Sequence, residues 1–461
     1  MYKRSVALLV LTVIVSIVVT ACAPAPAAPQ VVEKVVTQQV VVTQVVPKEV
    51  VVTKQVEVEK ARPKLRMWVD HNFYVKASEG VLKAFALEWA QQKGVDLEFT
   101  QDSDKVMWPR IDAAIESKTL PDVLYTNISY LPKLQRAKLL LDVNDLVKEL
   151  NGNLGGFTKG PLAAVTTADG KYAGVPIHAS SEEAYFRQDL LDAKGLKVPD
   201  TYEQLLQAAK AINNPPKVWG WGRQVAPFDG DRHNTALIIA YGGSVFAKDG
   251  QTIALDSPAT RQAIKLIQDA YDGGLIPKDA VTWDDAGNNS AYQTGKVGIA
   301  ENTGSIAQWM KDNDPALLKN TTFALFPAGP AGRFIQGDVW VLFVPNTSKY
   351  PDLAKDLIRY LGSKKVQEEV MVAMGGFRIP VYQDLTKLPM WQDRALKPLA
   401  DSAPYIYMVG YPGPVTSLAL EVFQQKVVAK MIVRVLTDKW TADKAIAEAV
   451  DTIKRIQSQM K

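Results

Sequence analysis

Reactive side chains are scarce in this 461-residue chain. It has one cysteine, Cys22, and three histidines, His71, His178 and His233, far apart in sequence. One cysteine excludes an internal disulfide. The scattered histidines give no cluster with metal-ligand spacing, so neither metal nor cofactor is expected. No GxSxG, HExxH, GxxxxGK[ST] or GxGxxG pattern occurs, which removes the usual sequence signs of a serine hydrolase, zinc protease or nucleotide enzyme. The acid pairs Asp229/Asp231 and Asp284/Asp285 are the remaining route to catalysis, as a glycosidase-like carboxylate couple. They read more simply as turn and cap residues, so no enzyme is expected. Charge of one sign is lacking too. Lys and Arg total 53 against 49 Asp and Glu, a net +4 that is too balanced for a nucleic-acid partner.

What is present begins at the first residues. Lys3 and Arg4 precede an apolar run, Val6 to Val19, too short for a comfortable bilayer span of ~20 residues, and small residues then lead to Cys22. Val19-Thr20-Ala21-Cys22 resembles a bacterial lipobox. The resemblance implies a signal peptide over 1–21, lipid on Cys22 and an extracytoplasmic, membrane-anchored protein. An ordinary signal peptide with an incidental cysteine is the plainer alternative. A thiol spent on an anchor leaves none for Cys–His catalysis, and stable anchoring takes two acyl chains. Residues 23–62 contain no aromatic, Leu or Ile and repeat Val pairs between Thr, Gln, Lys and Glu. With nothing large to fill a core, 22–62 reads as an extended or disordered tether; the β-branched content leaves a short β-structure as the alternative.

From Pro63 onward the composition becomes that of a folded protein with material for two cores. Short apolar strands (65–69, 95–100, 122–125) alternate with amphipathic helices (80–93, 108–117, 131–137, 143–150). Such alternation predicts an α/β fold with mainly parallel sheets, ligands binding along the rim of strand carboxyl ends. Trp89 and Trp108, at helical spacing, are assigned to the core.

An ordered series of segments carries a family resemblance. Leu120-Pro121-Asp122-Val123 comes first, then Asp169-Gly170-Lys171-Tyr172-Ala173-Gly174-Val175-Pro176-Ile177. Tyr185 to Leu191, Val198 to Leu205, Tyr292 to Ile299, Asp352 to Val370 and Gly375 to Val381 follow. The series resembles the extracellular solute-binding proteins of family 1, the maltose-binding and multiple-sugar-binding group. It departs from the family pattern at Arg187-Gln188 and Tyr202, where Tyr-Asn and Trp are common. The resemblance implies a two-lobed, periplasmic-binding-protein-like fold of type II, with lobe 1 over 63–178 plus 329–377 and lobe 2 over 183–327 plus 379–461. It further implies a monomer that captures a small molecule, foremost a carbohydrate, and passes it to the permease of an ABC importer. Glycerol-phosphate, another polar solute, or a sensory role on the same fold are the alternatives.

A sugar offers flat, weakly apolar faces and an edge of hydroxyls, so its site needs aromatic rings and fixed polar groups. Residues of those types stand where strands end: Asp70, His71 and Asn72; Tyr125 and Asn127; His178; Asn302 and Ser305. Trp221, Trp283 and Trp340 are candidate stacking rings, and Asp338 and Arg378 stand near the expected lobe crossings. Each has a structural alternative: helix cap for Asp70, hinge residue for His178, core for the tryptophans. Arg378 would either bridge the lobes or grip a carboxylate.

Overall fold

Residues 32–41, 51–59, 62–71, 76–167, 169–227 and 229–460 are described by a computed structural model. The expected signal peptide, Cys22 and Asn72 lie outside the described residues.

In the Val-rich segment, strand β1 (Val32–Val41) pairs antiparallel with β2 (Val51–Glu59), from Val41 opposite Val51 to Val32 opposite Glu59. The segment thus takes the β-structure that was the alternative to a spacer. Its β-branched residues suit a pleated ribbon. The chain divides into two compact units, the larger of which comprises Lys64–Gln91 and Leu97–Lys461.

The main body is built on two sheets. The first has five strands: β3 (Lys64–His71), β4 (Asp96–Ser103), β5 (Val123–Asn127), β6 (Val175–Ala179) and, far along the chain, a strand over Val339–Phe343. Their order is β4-β3-β5, then Val339–Phe343, then β6. The second has three: β7 (Glu183–Arg187), flanked by β8 (Ile299–Asn302) and β9 (Thr321–Ala324). A two-residue strand, β10 (Ile335–Gln336), precedes Val339–Phe343, which is β11, and pairs with β12 (Ile406–Tyr407).

The first sheet is mixed and the second wholly antiparallel, which corrects the expectation of mainly parallel ones. β3 and β5 are parallel, but β11 runs against both β5 and β6, and β7 runs against β8 and β9. The cause is the connection between lobes. β6 runs toward the crossing segment 180–182 and β7 away from it; β9 runs back, and β11 re-enters the first sheet from the crossing end. A chain that passes between two sheets and returns must set leaving and arriving strands in opposite directions. The consequence is useful: β3, β5, β6 and β8 all end at the junction, delivering Asp70, Asn127, Ala179 and Asn302 to one place.

Each sheet has its own core. In the first, Met67, Val69, Val123, Leu124, Val341, Leu342 and Phe343 are buried. In the second, Tyr185, Phe186, Trp221, Ile264, Tyr292 and Ile299 pack with the C-terminal helices through Ile432, Ile446 and Ile453. Residues 379–384 still pair with the first lobe, where Ile379 bridges Ala179 and the Tyr382 ring stacks on Phe157 at 4.4 Å. Ala395 lies in the second core, so the last crossing falls later than the 377–379 junction read from sequence. No described helix is long and apolar enough to cross a membrane.

Candidate functional site

The end of β3 sets the first wall of the site. Asp70 is buried, and its Oδ2 accepts hydrogen bonds from Trp108 Nε1 at 2.7 Å and Thr126 Oγ1 at 3.1 Å. Trp108 stands early in the helix Asp104–Ser117, just ahead of Pro109. It is not the core residue its spacing suggested, since it remains 37% exposed. Its ring is held edge-on by Tyr130 at 5.9 Å, and the Tyr130 hydroxyl donates to the Trp108 carbonyl. An indole pinned at its N–H and one edge, with surface left open, is a rigid apolar platform.

β5, β6 and β11 supply the floor. Trp340 is the register partner of both Asn127 and His178. The Tyr125 hydroxyl lies 3.0 Å from His178 Nδ1. Burial, helped by the charge of Arg378, lowers His178 to about 3, so this imidazole is neutral at physiological pH. Asn127 caps the short turn that follows it, its side-chain oxygen accepting from the Ser129 amide at 2.9 Å. The Arg378 guanidinium lies over the Trp340 ring, 3.4 Å from its centre, and 4.6 Å from that of Phe377. Trp340 therefore gives its face to an arginine and has none for a ligand, which corrects its reading as a stacking ring. Burial pushes Arg378 down to about 10 despite Tyr125, Asp338 and Asp70 nearby.

The second lobe approaches with the helix Asp229–Ala240. Arg232 on it pairs with Asp338 at 2.6 Å. Asp338 is itself tied to the first crossing, its amide accepted by Ser180 Oγ and its carbonyl accepting from the Ser180 amide. Burial raises the Asp338 carboxyl, but Arg232 outweighs it and holds the group below the ordinary carboxylate range. His233 Nε2 meets Glu182 Oε2 at 2.9 Å. Burial, then the charge of Glu182, pushes Asp229 up to about 6.

The remaining candidates lie inside the second lobe. Trp221 is fully buried and Trp283 is 9% exposed, both in the hydrophobic core, so neither offers a face to a ligand. Backbone proximity explains Trp221. Gly220 lies so close to the helix Tyr202–Ile212 that a Cβ there would sit 2.1 Å from the Ala209 carbonyl oxygen, and the next side chain is driven into the core. Trp283 is packed against Gly287, where any Cβ would strike its ring. The Asn302 amide is engaged by Asn288, Asn289 and the Thr303 amide, and Ser305 Oγ by Asn289 and Thr303. These two residues build a rigid loop. β3 ends at His71.

The site that forms thus joins Asp70, Tyr125, His178, Asp338, Trp340 and Arg378 from the sequence reading, and adds Trp108, Arg232 and Glu182. The Trp-Pro pair near the start of a helix that follows a strand was a signal for Trp108, because such starts lie at strand ends. Arg232 carried none. Among the described residues, no group of three His, Cys, Asp or Glu side chains could hold a metal ion.

One acid of each pair has a structural duty. Asp231 Oδ1 accepts from the Ala429 amide at 2.9 Å, and Asp284 from that of Ala286 at 3.1 Å. Burial nevertheless pushes Asp231 up to about 6. The folded state then binds this proton more tightly than the unfolded chain. The contribution to stability is complete below pH ~4 and is lost as the pH rises through about 6. Asp231→Asn should stabilise the protein by about 1–3 kcal/mol near pH 7.5 and hardly at all near pH 4. Urea melts at both values check this; an equal gain at both would contradict it.

Comparison with known proteins agrees with this architecture. A binding protein of Brucella abortus is 26% identical over 260 residues, 55% of this chain and 60% of that protein. An ABC transporter-binding protein of Deinococcus radiodurans is 28% identical over 214 residues, 44% of this chain and 50% of its own length. The chain therefore spans only 50–60% of these curated relatives. The sugar-binding protein MalE of Xanthomonas citri superposes with a TM-score of 0.74 at 17% identity, covering 86% of this chain and 98% of that one. With residues 81–398 matching the family's sequence model, the chain belongs to the bacterial extracellular solute-binding proteins.

Proposed function

We propose that this protein is the extracytoplasmic capture subunit of an ABC importer, and that it takes a saccharide between its two lobes. The observation that carries the carbohydrate reading is Trp108: an indole locked by Asp70 and Tyr130, still 37% exposed, beside fixed hydrogen-bonding groups. A sugar face buried on such a ring gains about 1.5–3 kcal/mol. Several hydrogen bonds from the cleft then reach the ~8 kcal/mol of micromolar binding. The sugar-binding MalE likeness and the transporter-binding relative support the same reading.

Ligand touching both lobes favours the closed arrangement by its differential affinity, and the Arg232–Asp338 pair already spans the junction. Delivery to a membrane permease follows, with ATP hydrolysis left to the partner. Lipid on Cys22 would keep the protein at the membrane outside the cytoplasm, with the Val-rich segment between anchor and lobes.

A thermal-shift screen of saccharides against polyols and amino acids tests the ligand class, and small-angle scattering of the hit tests closure. We expect at least one saccharide to raise the melting temperature and to reduce the radius of gyration. A hit confined to non-carbohydrates would overturn the carbohydrate assignment, and an unchanged radius at saturation would overturn closure.

A further inference from the structure

One cation in the cleft has no ion-pair partner among the described residues. Arg378 is only 6% exposed, yet no hydrogen bond or ion pair satisfies its guanidinium among the described residues. Two acids, Asp70 and Asp338, act on it by charge, but no ion pair joins either to it. Asp70 receives Trp108 and Thr126, and Asp338 is paired with Arg232. The local backbone is spent too, since Ile379 and Ala179 exchange both of their amide hydrogen bonds. Next to Arg378, His178 offers no negative charge and Tyr125 is turned to His178, burial holding that phenol protonated far above neutral pH.

A largely buried arginine without a protein acceptor is costly, because its N–H donors lose much of their water with little in return. Contacts with the Trp340 and Phe377 rings hold the guanidinium plane in place, so only its edge is left to form hydrogen bonds. A planar fork fixed in this way matches two parallel oxygens, the geometry of a carboxylate, better than it matches one hydroxyl. Charges from both lobes act on the group, Asp70 and Asp338 from one side and Arg232 from the other, which sets it near the junction where ligand would be enclosed.

We propose that Arg378 receives the carboxylate of an acidic saccharide, so that the cargo is a uronate-containing sugar rather than a neutral one. This rests on the carbohydrate reading above and narrows it. Trp340 then acts as a positioning residue for the arginine, and Trp108 supplies the platform for a ring face.

The test needs no mutation at first. Full-length protein in detergent is titrated calorimetrically with glucuronate- and galacturonate-containing disaccharides, their methyl esters, the neutral parent disaccharides and the sugar 6-phosphates. The ester keeps shape and removes charge. We expect a free acid to bind at least tenfold more tightly than its ester, as suits a hydrogen bond to a charged group. In Arg378→Gln that ratio should fall to about one, and in Arg378→Lys it should be reduced, because the charge remains and the fork is lost. Equal binding of acid and ester, or preference for the neutral or phosphorylated sugar, overturns the proposal while leaving a saccharide carrier standing. Failure of every saccharide to bind overturns both.

Discussion

Replacing Arg223 by methionine should cost the ligand-free protein about 3–5 kcal/mol, read from urea melts against the parent. Arg223 and Glu301 are both fully buried and meet at 2.7 Å. Arg223 also donates to the His233 carbonyl at 2.5 Å and lies 5.1 Å from the Trp221 ring centre. The large cost comes less from the attraction lost than from what remains. Glu301 Oε1 already lacks a partner, so without arginine a carboxylate is stranded in a low-dielectric interior. The double variant Arg223→Met with Glu301→Leu should therefore recover most of the loss, since both charges leave together. A single variant within 1 kcal/mol of the parent would show that the pair is already hydrated or neutral (~1 kcal/mol being the ordinary size of a substitution).

The second large effect should fall on affinity. Trp108→Ala is expected to weaken binding of the cargo saccharide by about 10- to 100-fold, the loss of roughly 1.4–2.8 kcal/mol of ring contact. Trp108→Phe should keep most of that affinity, because the platform survives although the N–H to Asp70 does not. Stability should change far less for this half-exposed ring than for Trp221→Ala, where a fully buried indole leaves a cavity worth about 3–5 kcal/mol. The contrast separates a ligand platform from a core ring. Should Trp108→Ala bind as the parent does while still folding, the sugar lies elsewhere in the cleft. The Asp70 carboxylate, relieved of one donor in this variant, still has Thr126.

The strand-end candidates were legible for a simple reason. An apolar run that stops abruptly at a polar residue marks where a buried strand leaves its sheet, and Asp70, Asn127 and Asn302 each stand at such a stop. The stop does not say what the side chain will bond to. Asn127 was taken by its own turn and Asn302 by an asparagine network, through neighbours two and thirteen or fourteen residues away. The tryptophans were misread in both directions. Trp221, beside glycines, and Trp283, ahead of Asp284 and Asp285, resembled stacking rings, but the missing side chains at Gly220 and Gly287 let backbone and ring close in. Trp108 looked like a core residue of an amphipathic helix, yet its indole is held by a carboxylate 38 positions earlier.

Local order in the chain was enough to determine the α/β character, the two lobes and the family, because these follow from the spacing of apolar residues and from segments met in sequence. Strand direction and the site itself were decided by the tertiary structure. β11 opposes its neighbours because it returns from the other lobe, and Arg378 covers Trp340 because two segments 38 residues apart meet at the crossing. Hydrophobic periodicity records which side of an element is buried. Which group faces it across a junction is settled only when distant segments pack, and that pairing leaves no periodic trace in the chain.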